Sequence, residues 1–290
     1  MIREEISGIG LPRLTKRPRA VTLFIMLIVA DNLNIVNRSI ERAVSNRDPE
    51  PIREMIRRVV QAGAMAVDVN SGPLPRNPGK QFAFMVETAC EATSLPLFLD
   101  TGNPVALEAG LAVCRNRAVI NGFSLEPFKL EHILPLAEKF EVDIIGYLLR
   151  SDGHVPMAED EMMTVAVTLF EAFVKAGLDP ARLIIDPVVA PVTWDGGMGH
   201  NRGVISVIRH LPELLGVPVK TIAGLSNLAS GPAAMGQKEI LECAYLPMLA
   251  EAGLDMVLMN LCREKTVQIA GACGMLCGGK VFSWAEIGPT

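Results

Sequence analysis

The sequence is poor in aromatic residues and in histidine, and both shortages narrow the fold and the chemistry. Phe, Trp and Tyr make up 5% of its 290 residues, while half of the residues are hydrophobic. Small and branched aliphatic side chains therefore fill the core, as is typical of parallel strands covered on both faces. None of the four histidines follows a predicted strand, which disfavours a histidine-rich zinc or iron site.

The chain also lacks an excess of positive charge and lacks a membrane-spanning run near its start. Its formal net charge is -5, whereas domains that bind nucleic acid usually carry a basic face. The apolar run Val21–Ala30 is far shorter than the roughly 20 residues that cross a bilayer. We therefore expect neither a nucleic-acid partner nor a membrane partner.

The first 20 residues are locally basic and lead into that apolar run. Such a start is typical either of a signal peptide or of an arm before a strand, but no small-residue cleavage site precedes Asp31. We favour a short N-terminal extension over residues 1–22, followed by one domain over residues 23–290. The length suits a single large α/β domain.

The cysteines do not fit a disulfide framework, because the chain is long and shows no clear export signal. Cys273 and Cys277 form a C-x3-C pair, but a metal site requires more ligands at a recognisable spacing. We expect small core thiols, a reducing cytoplasmic location and no bound metal. The six cysteines are Cys90, Cys114, Cys243, Cys262, Cys273 and Cys277.

Short apolar runs alternate with longer amphipathic ones along the whole chain, which predicts a parallel α/β fold. The predicted strands are Phe24–Ala30, Ala64–Val69, Leu95–Leu99, Ala118–Ile120, Val142–Tyr147, Leu183–Ile185, Val219–Ala223 and Met256–Met259. The predicted helices are Pro51–Gln61, Gln81–Thr93, Pro104–Cys114, Leu125–Phe140, Ala158–Ala176, Gly203–Leu214, Lys238–Ala252 and Glu264–Ala272. Eight such repeats close as a (β/α)8 TIM barrel or lie open as a doubly wound sheet. Since no G-x-G-x-x-G follows a strand, the dinucleotide-binding form of the open sheet loses its main support.

Aspartate and asparagine follow most of the predicted strands, at the end where barrel enzymes place their active sites. Such residues also serve as ordinary turn and cap residues, but their occurrence after six strands together favours a shared polar cup. The residues concerned are Asp31, Asn32, Asn34, Asp68, Asn70, Asp100, Asn121, Asp186, Ser226 and Asn227.

The residue types in this cup exclude some reactions and favour one kind of ligand. Lys220 begins a strand rather than ending one, which disfavours a Schiff-base aldolase. An ionised aspartate can accept from a ring N–H and an adjacent amine, and an asparagine both donates and accepts. A flat, neutral, polar heterocycle such as a pterin fits this inventory. A Mg²⁺ site also fits several carboxylates and stays open.

Five segments that end at these positions resemble those of the pterin-binding methyltransferase family. That family includes the methyltetrahydrofolate:corrinoid/iron-sulfur protein methyltransferases and the folate module of cobalamin-dependent methionine synthase. The similarity extends from about Met26 to Ser283. The matching segments read AVDVNSGP, PLFLDTGN, RAVINGFS, LIIDPVVAP and KTIAGLSN, in the order and spacing of the family.

The resemblance implies a (β/α)8 barrel, commonly a homodimer, and it implies a role for each site residue. Asp100, Asn121 and Asp186 would hydrogen-bond the pterin ring. Asn227 would lie near N5, where the methyl group is carried. Four further residues would line the same pocket, namely Asp68, Asn70, Ser226 and Asn34.

The implied reaction moves a methyl group between N5 of tetrahydrofolate and the cobalt of a corrinoid (cobamide) on a separate corrinoid-binding protein. 5-Methyltetrahydrofolate is then a substrate, and the chain needs no metal of its own. The resemblance makes Asn227 and Asp186 the catalytic residues: Asn227 donates or relays a hydrogen bond to N5, and Asp186 assists through water. Polarising N5 in this way improves tetrahydrofolate as a leaving group.

Two segments of the chain are not accounted for by the five matching segments. Family members often carry a G-E-R-x-N-like string after the first strand, where this chain has Ala30–Asn34, with Asp31 as a shorter carboxylate and without the arginine. The glycine-rich segment Thr193–Gly203 is interpreted either as a mobile lid or contact for the corrinoid protein, or as a solvated loop.

Three other functions remain open on the sequence. A dihydropteroate synthase-like enzyme would share the pterin cup, but it needs basic groups near the mouth. A magnesium-dependent barrel enzyme would use the same carboxylates as metal ligands. A non-catalytic subunit would bind folate or the corrinoid protein without turnover.

Overall fold

Eight parallel strands form a closed barrel in which spatial order follows chain order. The computed structural model describes residues 26–74 and 76–278. Strand β8 pairs with β1 to complete the closure, so the predicted (β/α)8 TIM barrel is confirmed and the open sheet is excluded. The strands are β1 Leu27–Asn34, β2 Ala66–Asn70, β3 Leu97–Asp100, β4 Ala118–Phe123, β5 Asp143–Tyr147, β6 Leu183–Asp186, β7 Lys220–Gly224 and β8 Met256–Met259.

Helices cover the outside of this barrel and connect the strands. Their bounds are α1 Arg38–Asn46, α2 Glu50–Gln61, α3 Pro78–Ala92, α4 Pro104–Val113, α5 Pro127–His132, α6 Leu134–Lys139, α7 Glu159–Lys175, α8 Gly197–Leu215, α9 Met235–Ala252 and α10 Glu264–Cys277. Within the described ranges, no helix has the length and the apolar character that crossing a membrane requires.

The core consists of two layers, because successive residues of a strand face opposite sides of the sheet. One buried cluster takes a single residue from each strand and fills the barrel interior. A larger cluster takes alternate strand residues, such as Val67, Leu99 and Ile185, and packs them against the helices. The interior layer consists of Val29, Ala66, Phe98, Val119, Ile145, Ile184, Ile222 and Met256.

The first predicted strand began at Phe24, while β1 begins at Leu27 and continues to Asn34. The residues before Met26 lie outside the described part of the chain, and so does the predicted extension over residues 1–22. The boundary between an extension and the barrel domain therefore stays a prediction.

The helical predictions miss one break and one whole helix. The segment Leu125–Phe140 was predicted as one helix, but it forms α5 and α6, and α6 starts at Leu134 with Pro135 in its first turn. Proline lacks the N–H that a continuous helix would need there. Helix α1 was not predicted, although Asn37 caps it by accepting a hydrogen bond from the Ser39 N–H.

The glycine-rich segment Thr193–Gly203 is only partly a loop, because α8 already begins at Gly197. His200 and Asn201 are buried, and the Asn201 amide makes two hydrogen bonds to the backbone of Ala190, at 3.0 and 2.8 Å. The interpretation of the whole segment as a solvated loop is therefore wrong. Tertiary hydrogen bonds hold its second half in a helix that its glycines alone would disfavour.

Candidate active site

The side chains of a strand alternate between two faces, and this alternation determines which residues face the barrel interior. Phe98, Val119 and Ile184 belong to the interior apolar layer. The residue two positions later in each strand faces the same interior, one level closer to the carboxyl end. In these three strands that residue is Asp100, Asn121 and Asp186, so a polar layer lies directly above the apolar one.

Strand register brings the predicted residues side by side. Asn34 pairs with Asn70 in adjacent strands. Asn70 in turn pairs with Asp100, and Asp100 pairs with Asn121. Four of the predicted pocket residues therefore form one row across β1 to β4, as the sequence predicted for strand ends that share one face. Asp186 occupies the same level on β6, where it pairs with Tyr147.

A buried hydrogen-bond network orients Asn121. Its Nδ2 donates to Oδ1 of Asp68 at 2.8 Å, and its Oδ1 accepts from the hydroxyl of Tyr147. Asp68 and Asn121 are 1% and 3% exposed, so this pair forms the floor of the cup. The orientation of the Asn121 amide is thereby fixed before any ligand binds.

Asp100 and Asn70 form a second pair beside this floor. The Asn70 amide donates to the Asp100 carboxylate, and its carbonyl oxygen accepts from the Gly72 N–H at 2.9 Å. Since an ionised carboxylate has about four acceptor sites, Asp100 keeps acceptor capacity for a ligand.

Asp186 is held by the loop that follows β6. Its Oδ1 accepts from the Val188 N–H at 2.7 Å. Val188 has a φ of 62°, which is unfavourable for a β-branched residue. The ring of buried His200 stabilises this backbone, with Nε2 2.7 Å from the Val188 carbonyl oxygen and Nδ1 2.9 Å from that of Pro156.

Strand β1 and the turn after β7 bring a further set of polar side chains to the cup. The Ser226 hydroxyl donates to Oδ2 of Asp31 at 2.6 Å. Nδ2 of Asn34 donates to the Asp31 carbonyl oxygen at 2.8 Å. Nearby, Arg263 forms an ion pair with buried Glu242. The positive charge of Arg263 lowers the pKa of Asp31, and the negative charge of Glu242 raises it.

Asn227 stands at the mouth, in a 3-10 turn over Leu225–Asn227 that directly follows β7. It is exposed, and no hydrogen bond to its side-chain amide is present within residues 26–74 and 76–278. A Cβ added to Gly224 would lie 3.0 Å from Nδ2 of Asn227. The absence of a side chain at position 224 thus leaves room for the amide to lie over the end of β7.

Burial shifts the ionisation of the cup. It raises the pKa of Asp186 to about 7, against the Val188 hydrogen bond. It raises the pKa of Asp100 to about 6, against the positive charge of Lys129. Burial and the neighbouring carboxylate of Asp100 raise the pKa of Asp68 well above its usual value, although the Asn121 hydrogen bond opposes this. Ionisation of these carboxyls is costly because burial removes the water that would solvate their charge.

Tyr147 and Lys129 are site residues that sequence reasoning missed. Burial, followed by the carboxylates of Asp100, Asp186 and Asp68, raises the pKa of Tyr147 well above its usual value. Its phenol is therefore a neutral donor among three acids. Tyr147 could have been predicted from its position, because it lies two residues after Ile145 and therefore faces the barrel interior. Lys129 lies on α5, 6.0 Å from the centre of the Tyr147 ring, and no strand-end pattern points to it.

The cup is rich in acceptors, and its donors are mostly amides and hydroxyls. Within the described ranges, no three His, Cys, Asp or Glu side chains are grouped as they would be to hold a metal ion. The six cysteines are free thiols; only Cys273 is fully buried, and Cys262 is exposed, so the expectation of buried core thiols holds only in part. The arrangement suits a flat ligand with N–H groups along one edge and a reacting atom near Asn227.

The chain belongs to the pterin binding enzyme family, whose sequence pattern matches residues 31–260. That range contains the whole cup, from Asp31 to Asn227. The predicted resemblance is thereby confirmed.

Curated relatives agree with this assignment. The methylcorrinoid:tetrahydrofolate methyltransferase of Eubacterium limosum is 24% identical over 276 residues, which cover 91% of this chain and 98% of that protein. The methionine synthase of Mycobacterium tuberculosis is 20% identical over 245 residues, which cover 81% of this chain and 20% of that protein. The chain thus spans about a fifth of the methionine synthase.

Solved structures show the same fold. The Yersinia pestis DHPS with a pterine-sulfa conjugate superposes with a TM-score of 0.65 at 15% identity, over 89% of this chain and 95% of that one. The dihydropteroate synthase of Xanthomonas albilineans in complex with 7,8-dihydropteroate gives 0.62 at 18% identity, over 89% and 94%. These identities are low, so the likeness establishes the barrel architecture alone.

Proposed function

We propose that this chain is a methyltransferase that moves a methyl group between N5 of tetrahydrofolate and the cobalt of a corrinoid on a separate protein. The observation that carries the proposal is the polar layer at the carboxyl end of the barrel, with the acids Asp68, Asp100 and Asp186 below and the Asn227 amide at the mouth. The relative of equal extent, named a methylcorrinoid:tetrahydrofolate methyltransferase, supports the same reaction.

Asp100, Asn121 and Asp186 bind the pterin ring in this proposal. Ionised Asp100 and Asp186 accept hydrogen bonds from the ring N–H and amine groups. These ligand donors replace the water that burial excludes from the two acids. The Asn121 amide is already oriented by Asp68 and Tyr147, so it presents a fixed edge. Preorganisation of this kind lowers the entropy cost of binding.

Asn227 acts at N5. When the methyl group passes from N5 to the corrinoid cobalt, the electron pair of the C–N bond would stay on N5, which would take up a proton from solvent. A hydrogen bond from the Asn227 amide stabilises the charge that changes there. Asp186 assists through water in this proposal, and Asn70, Ser226, Asp68 and Asn34 complete the pocket wall.

The corrinoid supplies the cobalt centre that accepts or donates the methyl group, and a corrinoid-binding protein carries it to the barrel mouth. The name of the Eubacterium limosum relative, in which a methylcorrinoid is the partner of tetrahydrofolate, supports this role. Assembly as a homodimer and a cytoplasmic location rest on the family resemblance and are proposed with it.

The structure does not favour the dihydropteroate synthase-like alternative. That reaction needs a free basic group near the mouth, but the guanidinium of Arg263 is paired with the buried carboxylate of Glu242. Lys129 lies over the Tyr147 ring, with its Nζ 3.5 Å from the carbonyl oxygen of Gly122. Among the described residues, the guanidinium of Arg263 is therefore already paired, and the charge of Lys129 acts on Asp100.

Single-turnover transfer from 5-methyltetrahydrofolate to free cob(I)alamin tests the proposal. We expect transfer by the wild type and a rate about 100-fold lower for Asn227→Ala, as for the loss of one charge-stabilising donor. The folate affinity of that variant should stay within about threefold, because the other ring contacts remain. Asn46→Ala, at the exposed end of α1, is the matched control.

Two outcomes contradict the proposal in different ways. Folate binding without transfer, either to free cob(I)alamin or to a corrinoid protein, would identify a non-catalytic binding subunit. Absence of any reduced-folate binding would mean that the cup serves another ligand.

A further inference from the structure

The turn that carries Asn227 is tied to the barrel at two points. On one side, the Leu228 carbonyl oxygen accepts from the Val192 N–H at 2.9 Å. On the other side, the Ser226 hydroxyl donates to Asp31 at 2.6 Å. The first tie joins two backbone groups and survives a side-chain substitution. The second tie depends on side chains alone, so mutation can remove it.

Asp31 is well placed to serve as a fixed anchor. It lies where the pairing of β1 with β2 shifts register, between Ala30 and Leu33, and its carbonyl oxygen is held by Asn34. Burial raises the pKa of the Asp31 carboxyl, whereas the Ser226 hydrogen bond and the charge of Arg263 oppose that rise. The hydroxyl of Ser226 is thus the direct stabilising partner of this acid.

The position of the Asn227 amide is sensitive to small movements of this turn. Its Nδ2 lies so close to Gly224 that an added Cβ would be 3.0 Å away. A turn released from Asp31 could therefore move the amide away from the end of β7. Displacements of about 1 Å at a reacting centre can reduce rates by about 100-fold.

We infer that Asp31 is a positioning residue for methyl transfer: by accepting the hydroxyl hydrogen of Ser226, it fixes the turn that presents the Asn227 amide to N5. The inference rests on the proposed function. It assigns Asp31 an effect on the transfer rate rather than on folate affinity, and it makes hydrogen-bond acceptance the relevant property rather than negative charge.

Three variants separate these properties. Asp31→Ala removes the acceptor, Asp31→Asn removes the charge but keeps an acceptor oxygen, and Ser226→Ala removes the donor. We expect Asp31→Ala and Ser226→Ala each to lower the single-turnover rate by about tenfold or more, with folate affinity within about threefold. Asp31→Asn should retain most of the rate. Asp179→Asn is the matched control, because Asp179 is exposed before β6 and its acceptor role toward Ala181 is one that asparagine can fulfil.

Coupling to Asn227 gives the decisive comparison. Because Asp31 acts through Asn227 in this inference, Asp31→Ala should cause no further loss in the Asn227→Ala background, and the Asp31→Ala, Ser226→Ala double variant should resemble either single variant. A rate for Asp31→Asn as low as for Asp31→Ala would contradict positioning, because it would show that the charge matters. Additive losses with Asn227→Ala would also contradict it.

Nuclear magnetic resonance keeps this test independent of the reaction itself. ¹⁵N relaxation of the Asn227 side-chain amide should show greater motion in Asp31→Ala and Ser226→Ala than in the wild type and Asp179→Asn. An unchanged amide would overturn the inference. If the wild type transfers no methyl group but this ordering is observed, the proposed function fails while the positioning of Asn227 by Asp31 stands.

Discussion

The two ends of this barrel treat polar residues in opposite ways. At the amino end, Asp143 pairs with Arg117 at 2.7 Å, and Asp255 accepts from both the N–H and the hydroxyl of Thr221. Asn116 donates to two backbone carbonyl oxygens nearby, at 2.8 and 2.7 Å. Each of these side chains finds its partners within the protein.

At the carboxyl end, two acids each accept a single hydrogen bond from a neutral N–H group. The Asp186 carboxylate accepts from one backbone N–H, and Asp100 accepts from one amide. Burial raises the pKa of both acids toward neutrality. It also raises the pKa of Asp255 at the amino end, but there the Thr221 hydrogen bonds and the charge of Lys220 oppose the rise.

The difference indicates that the polar residues of the amino end stabilise the fold, while the acids of the carboxyl end keep unused acceptor capacity. Acids that are buried with unused acceptor capacity reduce stability. The chain belongs to the pterin binding enzyme family, and in the proposed function a bound pterin uses this acceptor capacity. TIM barrels in general divide stability and function between the same two ends.

Replacing the acids at the carboxyl end with asparagine should have the largest effect on folate affinity. Asp100→Asn and Asp186→Asn should each weaken binding of 5-methyltetrahydrofolate by about 10- to 100-fold, because a hydrogen bond to a charged group contributes about 1.5–3 kcal/mol. Calorimetric titration measures the affinities. Asp143→Asn, which changes an acid at the amino end, should leave the affinity unchanged and lower only the stability. Equal effects at both ends would refute the division.

The pH dependence of folate affinity sharpens the contrast with a smaller effect. The acids bind folate in their ionised form, because only that form accepts all of the hydrogen bonds. Folate affinity is therefore highest above the pKa of each acid and falls as the pH falls through that pKa. Since the pKa of Asp186 is about 7 and that of Asp100 about 6, affinity should fall below about pH 7 and more steeply below about pH 6. The upper part of this decline should disappear in Asp186→Asn. An affinity that is constant from about pH 5 to about pH 8 would contradict it.

The barrel and most of the cup could be predicted from the sequence because both depend on local pattern. Strand β8 was predicted with its observed bounds, Met256–Met259. Asp100, Asn121 and Asp186 were located because an apolar run ends in a polar residue, and parallel strands place these ends on one face. The two-residue period of a strand and the polarity of the residue at its end are sufficient to locate such residues.

Residues whose role depends on tertiary contacts escaped prediction. Tyr147 belongs to an apolar strand, and only the fold shows its hydroxyl donating to Asn121. The start of α8 at Gly197 depends on the burial of His200 and Asn201, which no local propensity predicts. The break at Leu134 could have been predicted, because Pro135 lies in the middle of the segment.

The measurement that tests the central claim most directly is calorimetric titration of the wild type with 5-methyltetrahydrofolate at about pH 7, in buffers of different ionisation enthalpy. We expect one site per barrel and net release of protons, because the ligand selects the ionised form of acids that are partly protonated in the free protein. Absence of binding, or binding with no proton release, would contradict the claim that the acids at the carboxyl end hold a pterin.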